Sequence, residues 1–573
     1  MSCQSASQPP RCAPLLARRL GLLLLALAIF GCGAHRNSQL AGQPVSATAV
    51  TVQSVALVTV DPRAAQAALD EARRLDRRED PAAVDYYFQA AALSAAGITP
   101  AGPANQSESI YRQALWGLVD SGQRLGRLDP RSGLTVMHGG QRTVPIRYFG
   151  FAFKPSDFSR LSAADVPTGE IAQRYVRPGI GIPLLGERVS PCEEPFASQW
   201  QPFAVTALLR PSGDVVDPTL SGPHVLELYN PLAFDCVGWR GGSRPLSADV
   251  TAPLAAIVNN APRQYLQGFT APSDTSVRPK LTMIEPYQPG KIPVVFIHGL
   301  YSDAITWADM INELRAQRDL YDQYQFWAFR YPTGGDLLSS TSALRANLRL
   351  VRATFDPNNA DPALDQMVLV GHSLGGLVSK MQVTSSYEIL WRAAAVQPFD
   401  ALQAPPELEE QLARGFFFDP VCSVKRVVFI GTPHHGAGMA SRAAGRVGSL
   451  LVSFGREQDA QYQALMEANR DVFKPMLQGR RPTTIALLEP ENPFLDALKR
   501  MPVNCQTRLH SIIGTGGLNL TEGPSDGIVP VASAEHAGDS TLEVPEHHEK
   551  LHRHPTSIAE VTRILRLHAA GVR

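Results

Sequence analysis

In the second half of the chain, continuous apolar runs rich in β-branched residues, at 293–297, 325–329, 367–370, 424–430 and 509–513, alternate with stretches of helical period, among them 304–314 and 339–351. Strands that lack polar alternation are buried on both faces. Helices between them imply a mainly parallel sheet covered on either side. Residues 284–573 are therefore expected to form one α/β domain. Earlier in the chain, residues 61–133 read as helical: Ala68, Leu69, Ala72 and Leu75 recur at three- and four-residue steps, and Tyr86-Tyr87-Phe88 leads into an alanine-rich run, with no clean repeat. Over 134–283 the texture changes to short β-like runs at 143–153, 203–209 and 224–229 between Pro- and Gly-rich turns. That pattern predicts an antiparallel β-rich domain, with a sandwich as the candidate arrangement.

The first residues follow neither pattern. Arg11, Arg18 and Arg19 precede an apolar run at 20–30 that is short for a bilayer span and ends in small residues. A basic start, a short apolar core and a small-residue end predict a secretory signal over 1–32, followed by a small, polar tether over 33–60. The ending Ile29-Phe30-Gly31-Cys32 resembles the lipobox of bacterial lipoproteins, although Phe30 departs from the small residue usual there. The resemblance implies lipidation at Cys32 and anchoring by acyl chains rather than by a helix. Gly33 resembles the sorting pattern of lipoproteins sent to the outer membrane of a Gram-negative bacterium, so an exported protein of the cell envelope is expected.

Length and composition add two bounds. At 573 residues the chain exceeds one core, and its 44% hydrophobic and 18% charged residues are those of a globular protein. The 53 basic and 53 acidic side chains cancel, so no basic excess asks for nucleic acid. Of seven cysteines, Cys3 and Cys12 leave with the signal and Cys32 is taken by lipid. Four remain for an oxidising compartment. Pairing inside each proposed domain gives Cys192 with Cys236 and Cys422 with Cys505, with four buried free thiols as the alternative; their spacing fits no zinc site. No metal or cofactor is expected. Oligomeric state is not encoded in any pattern found.

The chemistry concentrates in the α/β region. Gly371-His372-Ser373-Leu374-Gly375 is a G-x-S-x-G sequence that follows an apolar strand and opens a helical pattern. Such a turn projects the serine hydroxyl into a cleft, and glycines two positions either side allow its tight packing. A serine needs a histidine base oriented by a carboxylate, in chain order Ser, acid, His for this topology. Asp526, in Gly523-Pro-Ser-Asp-Gly-Ile-Val-Pro, stands in a loop beyond a strand. Four histidines follow, His547, His548, His552 and His554; a base placed after the strand at 541–544 and before a final helix near Thr556 is His547 or His548. An oxyanion is held by backbone N–H groups. Leu374 supplies one, and Leu300, in the His298-Gly299-Leu300 turn after the strand at 293–297, supplies the other.

Together His298-Gly-Leu-Tyr-Ser, Gly371-His-Ser-Leu-Gly-Gly, Phe429-Ile-Gly-Thr-Pro-His-His-Gly and Ser525-Asp-Gly-Ile-Val-Pro resemble a bacterial lipase or esterase of the α/β-hydrolase superfamily. The Gly-Thr-Pro-His-His-Gly stretch resembles the GPI-inositol-deacylase-like branch, and the likeness spans about residues 285–570. It implies an α/β-hydrolase fold with a helical cap, ester hydrolysis by Ser373, Asp526 and His548, and a lipophilic ester as substrate. His548 is the implied base because its distance from Val544-Pro545 matches such sequences. His434 and His435 are expected as turn and wall residues. Two insertions, 384–420 with Tyr387, Leu390, Trp391, Phe399 and Phe416 to Phe418, and 436–500 with Leu450-Leu451-Val452, suit an acyl chain or, equally, a small core of the cap's own. Two other functions fit the sequence: lipid acyl transfer by the same triad, and a surface-anchored binding protein on an inactive hydrolase fold.

Overall fold

The computed structural model describes residues 62–572 except 101, 138, 191–193, 199, 212–222, 262–269, 271–277, 438–455, 480 and 518–522. The signal, the lipobox cysteine Cys32, the tether and Leu450-Leu451-Val452 lie outside the described residues.

Three helices, α1 (Pro62–Asp76), α2 (Ala82–Ala96) and α3 (Gln106–Arg124), open the chain. The buried side of α1 is Ala65, Ala68, Leu69, Ala72 and Leu75, the three- and four-residue stripe of the sequence. Small residues let the helices approach closely: a Cβ on Gly117 of α3 would run into the Tyr87 ring of α2. They pack on a sheet of β1 (Ile146–Phe149), β2 (Arg160–Ala163), β3 (Ile182–Val189), β4 (Trp200–Pro211) and β5 (His224–Tyr229), in the order β1-β5-β4-β3-β2. The β1–β5 pair is parallel and the others antiparallel. A sandwich is thus replaced by one mixed sheet, because the helices supply the apolar cover that a second sheet would have given. One hydrophobic cluster runs from Ala65 through Tyr111 to Leu246 and joins the helical and β stretches. Two polar bolts cross it. The Tyr111 hydroxyl donates to the Leu209 carbonyl at 2.9 Å and accepts from the Leu209 N–H at 2.8 Å. Glu108 forms a buried ion pair with Arg244.

The second sheet holds β6 (Lys280–Met283), β7 (Ile292–Ile297), β8 (Tyr324–Arg330), β9 (Met367–His372), β10 (Val424–Ile430), β11 (Arg508–Gly514) and β12 (Ser540–Val544). Their order is β6-β8-β7-β9-β10-β11-β12. All neighbours run parallel except β6, which pairs antiparallel with β8. Every residue of β7 and β9 is buried, as expected of strands covered on both faces. Separate apolar clusters lie on the two sides, one around Val295, Trp327 and Phe429, the other around Phe296, Trp307 and Ile564. Helix α4 (Leu337–Phe355) follows β8 and helix α5 (Leu374–Lys380) follows β9.

The insertions add α6 (Ile389–Ala394) and α7 (Pro406–Phe416), then α8 (Arg456–Ala468) and α9 (Pro493–Arg500). Trp391, Ala395, Met466, Val472 and Phe473 form a core shared by both insertions. The Trp391 ring meets Phe399 at 4.9 Å, Phe416 at 5.2 Å and Phe473 at 5.6 Å between centroids. Much of the aromatic content of the cap therefore holds the cap together. The chain ends in α10 (Pro555–Val572).

The expected disulfides are corrected by this arrangement. Cys236, Cys422 and Cys505 are free thiols, and Cys192 lies outside the described residues. Cys422 and Cys505 sit exposed in the turns that enter β10 and β11, where the backbone and apolar core already fix the strands without a covalent link.

Removing one partner of a buried ion pair leaves the other charge without compensation, at a cost of roughly 3–5 kcal/mol. Glu108→Ala is expected to destabilise the N-terminal part by that order in urea unfolding followed by far-UV circular dichroism; an unchanged midpoint would show that the pair is dispensable.

Candidate active site

The turn between β9 and α5 holds Ser373 at φ 53° and ψ −122°. A non-glycine residue in such a region costs about 1–3 kcal/mol and persists only where its surroundings over-determine it. Here the surroundings do. The Ser373 N–H donates to the Ile430 carbonyl at 2.8 Å, and the Gly376 N–H donates to the Ser373 carbonyl at 2.9 Å. A Cβ on Gly371 would stand 2.5 Å from the Gly375 carbonyl oxygen, and one on Gly375 would collide with the carbonyls of Ile297 and His298. The two glycines of G-x-S-x-G are therefore required by backbone contact.

Asp526 is held on three sides. Its Oδ1 accepts from the N–H groups of Ile528 at 3.0 Å and Val529 at 2.7 Å, while Oδ2 lies 2.6 Å from Nδ1 of His548. The His548 N–H also donates to the Asp526 carbonyl at 3.0 Å. With Nδ1–H given to the carboxylate, Nε2 is left as the acceptor of the ring. Gly431, at φ +56°, borders the pair: its Cβ position is 3.2 Å from His548 Nδ1 and 3.3 Å from Asp526 Oδ2. It follows Ile430, the residue that accepts from the Ser373 N–H, so one short stretch borders both the serine and the Asp–His pair.

The other histidines of the group go elsewhere. His547 is exposed and its backbone bonds the Glu546 carboxylate. Buried His552 meets Thr306 Oγ1 through Nε2 at 2.7 Å, and His554 Nδ1 accepts from the Thr556 N–H at 3.2 Å. Of the four, His548 alone meets Asp526.

Two further groups, which the sequence did not single out for this work, fix the site. His372 Nε2 lies 3.0 Å from the His548 carbonyl, which can only accept, so the ring donates and holds the segment that carries His548. At the other side, Gly299 abuts the serine, since its Cβ would lie 2.9 Å from Ser373 Cβ. Its turn is pinned by Tyr331: the hydroxyl donates to the His298 carbonyl at 2.8 Å, and the Tyr331 N–H donates to His298 Nε2 at 3.3 Å. His298 Nδ1 then carries its proton and donates to the Gly299 carbonyl at 3.0 Å. Among the described residues the Leu300 N–H has no hydrogen-bond acceptor. The Leu374 N–H, the first of its helix, has none within the helix.

His434 is buried, meets Phe429 edge-on at 4.7 Å and His536 at 4.6 Å between ring centroids. His435 bonds Ser533 Oγ through its N–H at 3.1 Å. Among the described residues no group of three or more His, Cys, Asp or Glu side chains is placed to hold a metal ion.

Burial lowers the pKa of the imidazoles around this site. Desolvation holds His298 at about 4 and His552 at about 3, and carries His372 and His434 well below the ordinary value. These rings stay neutral in the native protein while the unfolded chain takes up protons near pH 6.5. Their stabilising contribution is complete above that pH and is lost as pH falls from 6.5 toward 4. The thermal midpoint is expected to drop steadily between pH 7 and 5; a flat or rising midpoint over that interval would contradict it.

Residues 294–557 match the model of the alpha/beta hydrolase family. No curated protein matches the chain. Among solved structures, a mature-form lipase from Bacillus licheniformis is 18% identical, over 50% of this chain and 97% of that one, with a TM-score of 0.31. Esterase B from Lactobacillus rhamnosis is 16% identical, over 51% and 80%, with a TM-score of 0.27. A hydrolase from Pseudomonas aeruginosa is 13% identical, over 50% and 93%, also with a TM-score of 0.27. By its strand order and the match over residues 294–557, the C-terminal half of the chain has an α/β-hydrolase fold.

Proposed function

We propose that the protein is a serine hydrolase that cleaves carboxylic esters through an acyl-enzyme on Ser373. The observation that supports this most is the 2.6 Å contact of Asp526 Oδ2 with His548 Nδ1, beside a serine held at positive φ. In this reading His548 Nε2 takes the Ser373 proton as the hydroxyl oxygen attacks the ester carbonyl. The N–H groups of Leu300 and Leu374 receive the oxyanion. Collapse breaks the bond to the alcohol, which leaves with the proton from His548. Water, deprotonated by the same imidazole, then releases the acid and restores the serine. Asp526 keeps the ring in the tautomer that presents Nε2 and stabilises the imidazolium. Positioning falls to His372 and to the His298–Tyr331 pair.

Ser373→Ala and His548→Ala are each expected to lower kcat on p-nitrophenyl butyrate by at least about a thousandfold, and Asp526→Asn by roughly 10^3–10^4-fold, with folding retained. Turnover by folded Ser373→Ala equal to that of the parent would exclude the mechanism. Adding a lipid alcohol and analysing the products separates hydrolysis from acyl transfer.

Export and attachment to the envelope through acylated Cys32 belong to the same proposal and rest on the leader pattern alone. Palmitate labelling in cells is expected for the parent and absent for Cys32→Ala; equal labelling of both would refute anchoring at that residue.

A further inference from the structure

Between the cap insertions and the loop after β8 lies a cavity of about 790 Å3, within the range of roughly 300–1,000 Å3 usual for small-molecule sites. Leu390, Leu412 and Phe416 from the first insertion, Leu465 and Phe494 from the second, and Leu338 from α4 supply much of its apolar wall. Three polar side chains in that wall bond to backbone groups, while Gln411, Gln458, Gln461, Arg481 and Glu489 also line it. Asp336 accepts from the Leu338 N–H at 3.0 Å, the Tyr462 hydroxyl donates to the Leu477 carbonyl at 2.6 Å, and Asn492 accepts from the Phe494 N–H at 2.9 Å. The wall is apolar over its larger part, which suits a ligand with an extended hydrocarbon portion.

Ser373, Asp526 and His548 are not part of the described wall. Apolar packing nevertheless joins the two places. Leu390 and Phe494 share one buried cluster with Leu374, the residue after the serine, and Leu338, Phe416 and Leu300 pack against it. We propose that this cavity binds the alkyl chain of a long-chain acyl ester whose carbonyl is presented to Ser373. The inference rests on the ester-hydrolase reading and narrows its substrate to long-chain esters. A short acyl group would be held at the serine without entering the cavity, and a long one would fill it.

Two measurements on the full chain test the proposal. Leu412→Trp, or Leu408→Trp on the same helix should the first variant not fold, narrows the cavity away from the catalytic groups. Each is expected to lower kcat/KM for p-nitrophenyl palmitate by about tenfold or more while leaving the butyrate ester within about twofold. Parallel loss on both esters, or no loss on palmitate, would overturn the assignment. In parallel, Ser373→Ala is titrated with the fluorescent fatty acid cis-parinaric acid. Saturable binding that is lost on adding Leu412→Trp is expected, and absence of binding counts against the site. If the parent cleaves neither ester while the probe still binds in this way, the chain site stands and the hydrolase reading falls. If butyrate is cleaved and the probe does not bind, the hydrolase reading stands and the chain site falls.

Discussion

The backbone at Ser373 is the constraint on which the functional half depends. A serine at positive φ is stable only inside a cage, and much of that cage is main chain: Ile297 and His298 at the end of β7, Gly375 of the following helix, and Ile430 of the next strand. The parallel register of β7, β9 and β10 brings these walls together, pairing Ile297 with Gly371 and Gly371 with Phe429. The register of the sheet thus fixes the position of Ser373. The same strand end that accepts from the Ser373 N–H continues into Gly431, which makes room for Asp526 and His548. Fold and site are therefore one construction, since a shift of β10 would disturb both the serine and its partners.

Around this centre the remaining parts divide the work. Buried neutral imidazoles and Tyr331 hold the turns that bear the Gly299 and His548 backbones. The cap insertions share a core of their own and leave a cavity beside them. The N-terminal helices and mixed sheet share a separate apolar core, while Ile171, Leu254, Ala255 and Val258 pack into the core of the C-terminal sheet, and polar contacts join the two as well. Asn230 donates to the Tyr321 hydroxyl at 3.0 Å, and Thr251 Oγ1 donates to Asn312 Oδ1 at 2.9 Å.

How much of this was legible in the sequence follows from the range of the interactions involved. The strands at 293–297, 325–329, 367–370, 424–430 and 509–513 appear within two residues of their expected ends, because burial on both faces leaves an uninterrupted apolar signal. The turn at Ser373 was legible for a similar reason: local sterics demand glycine at 371 and 375. Distances between remote segments were not. Nothing local distinguishes His548 from His547 until the fold sets one beside Asp526 and turns the other to solvent. Tyr331 lies just past β8, and its grip on His298 exists only because β7 and β8 are neighbours. The sandwich and the cysteine pairings were misjudged on the same ground. Strand runs do not say what covers them, and sharing a domain does not bring two thiols into bonding geometry.

The most direct test of the central claim is covalent. A fluorophosphonate reacts with a serine only when a base activates it and an oxyanion site stabilises the adduct. Labelling the full-length protein and mapping the modified peptide by mass spectrometry is predicted to give one adduct, on Ser373, within the peptide that carries Gly371-His372-Ser373-Leu374-Gly375. Folded protein that remains unlabelled, or an adduct on another residue with Ser373 unmodified, would contradict the account.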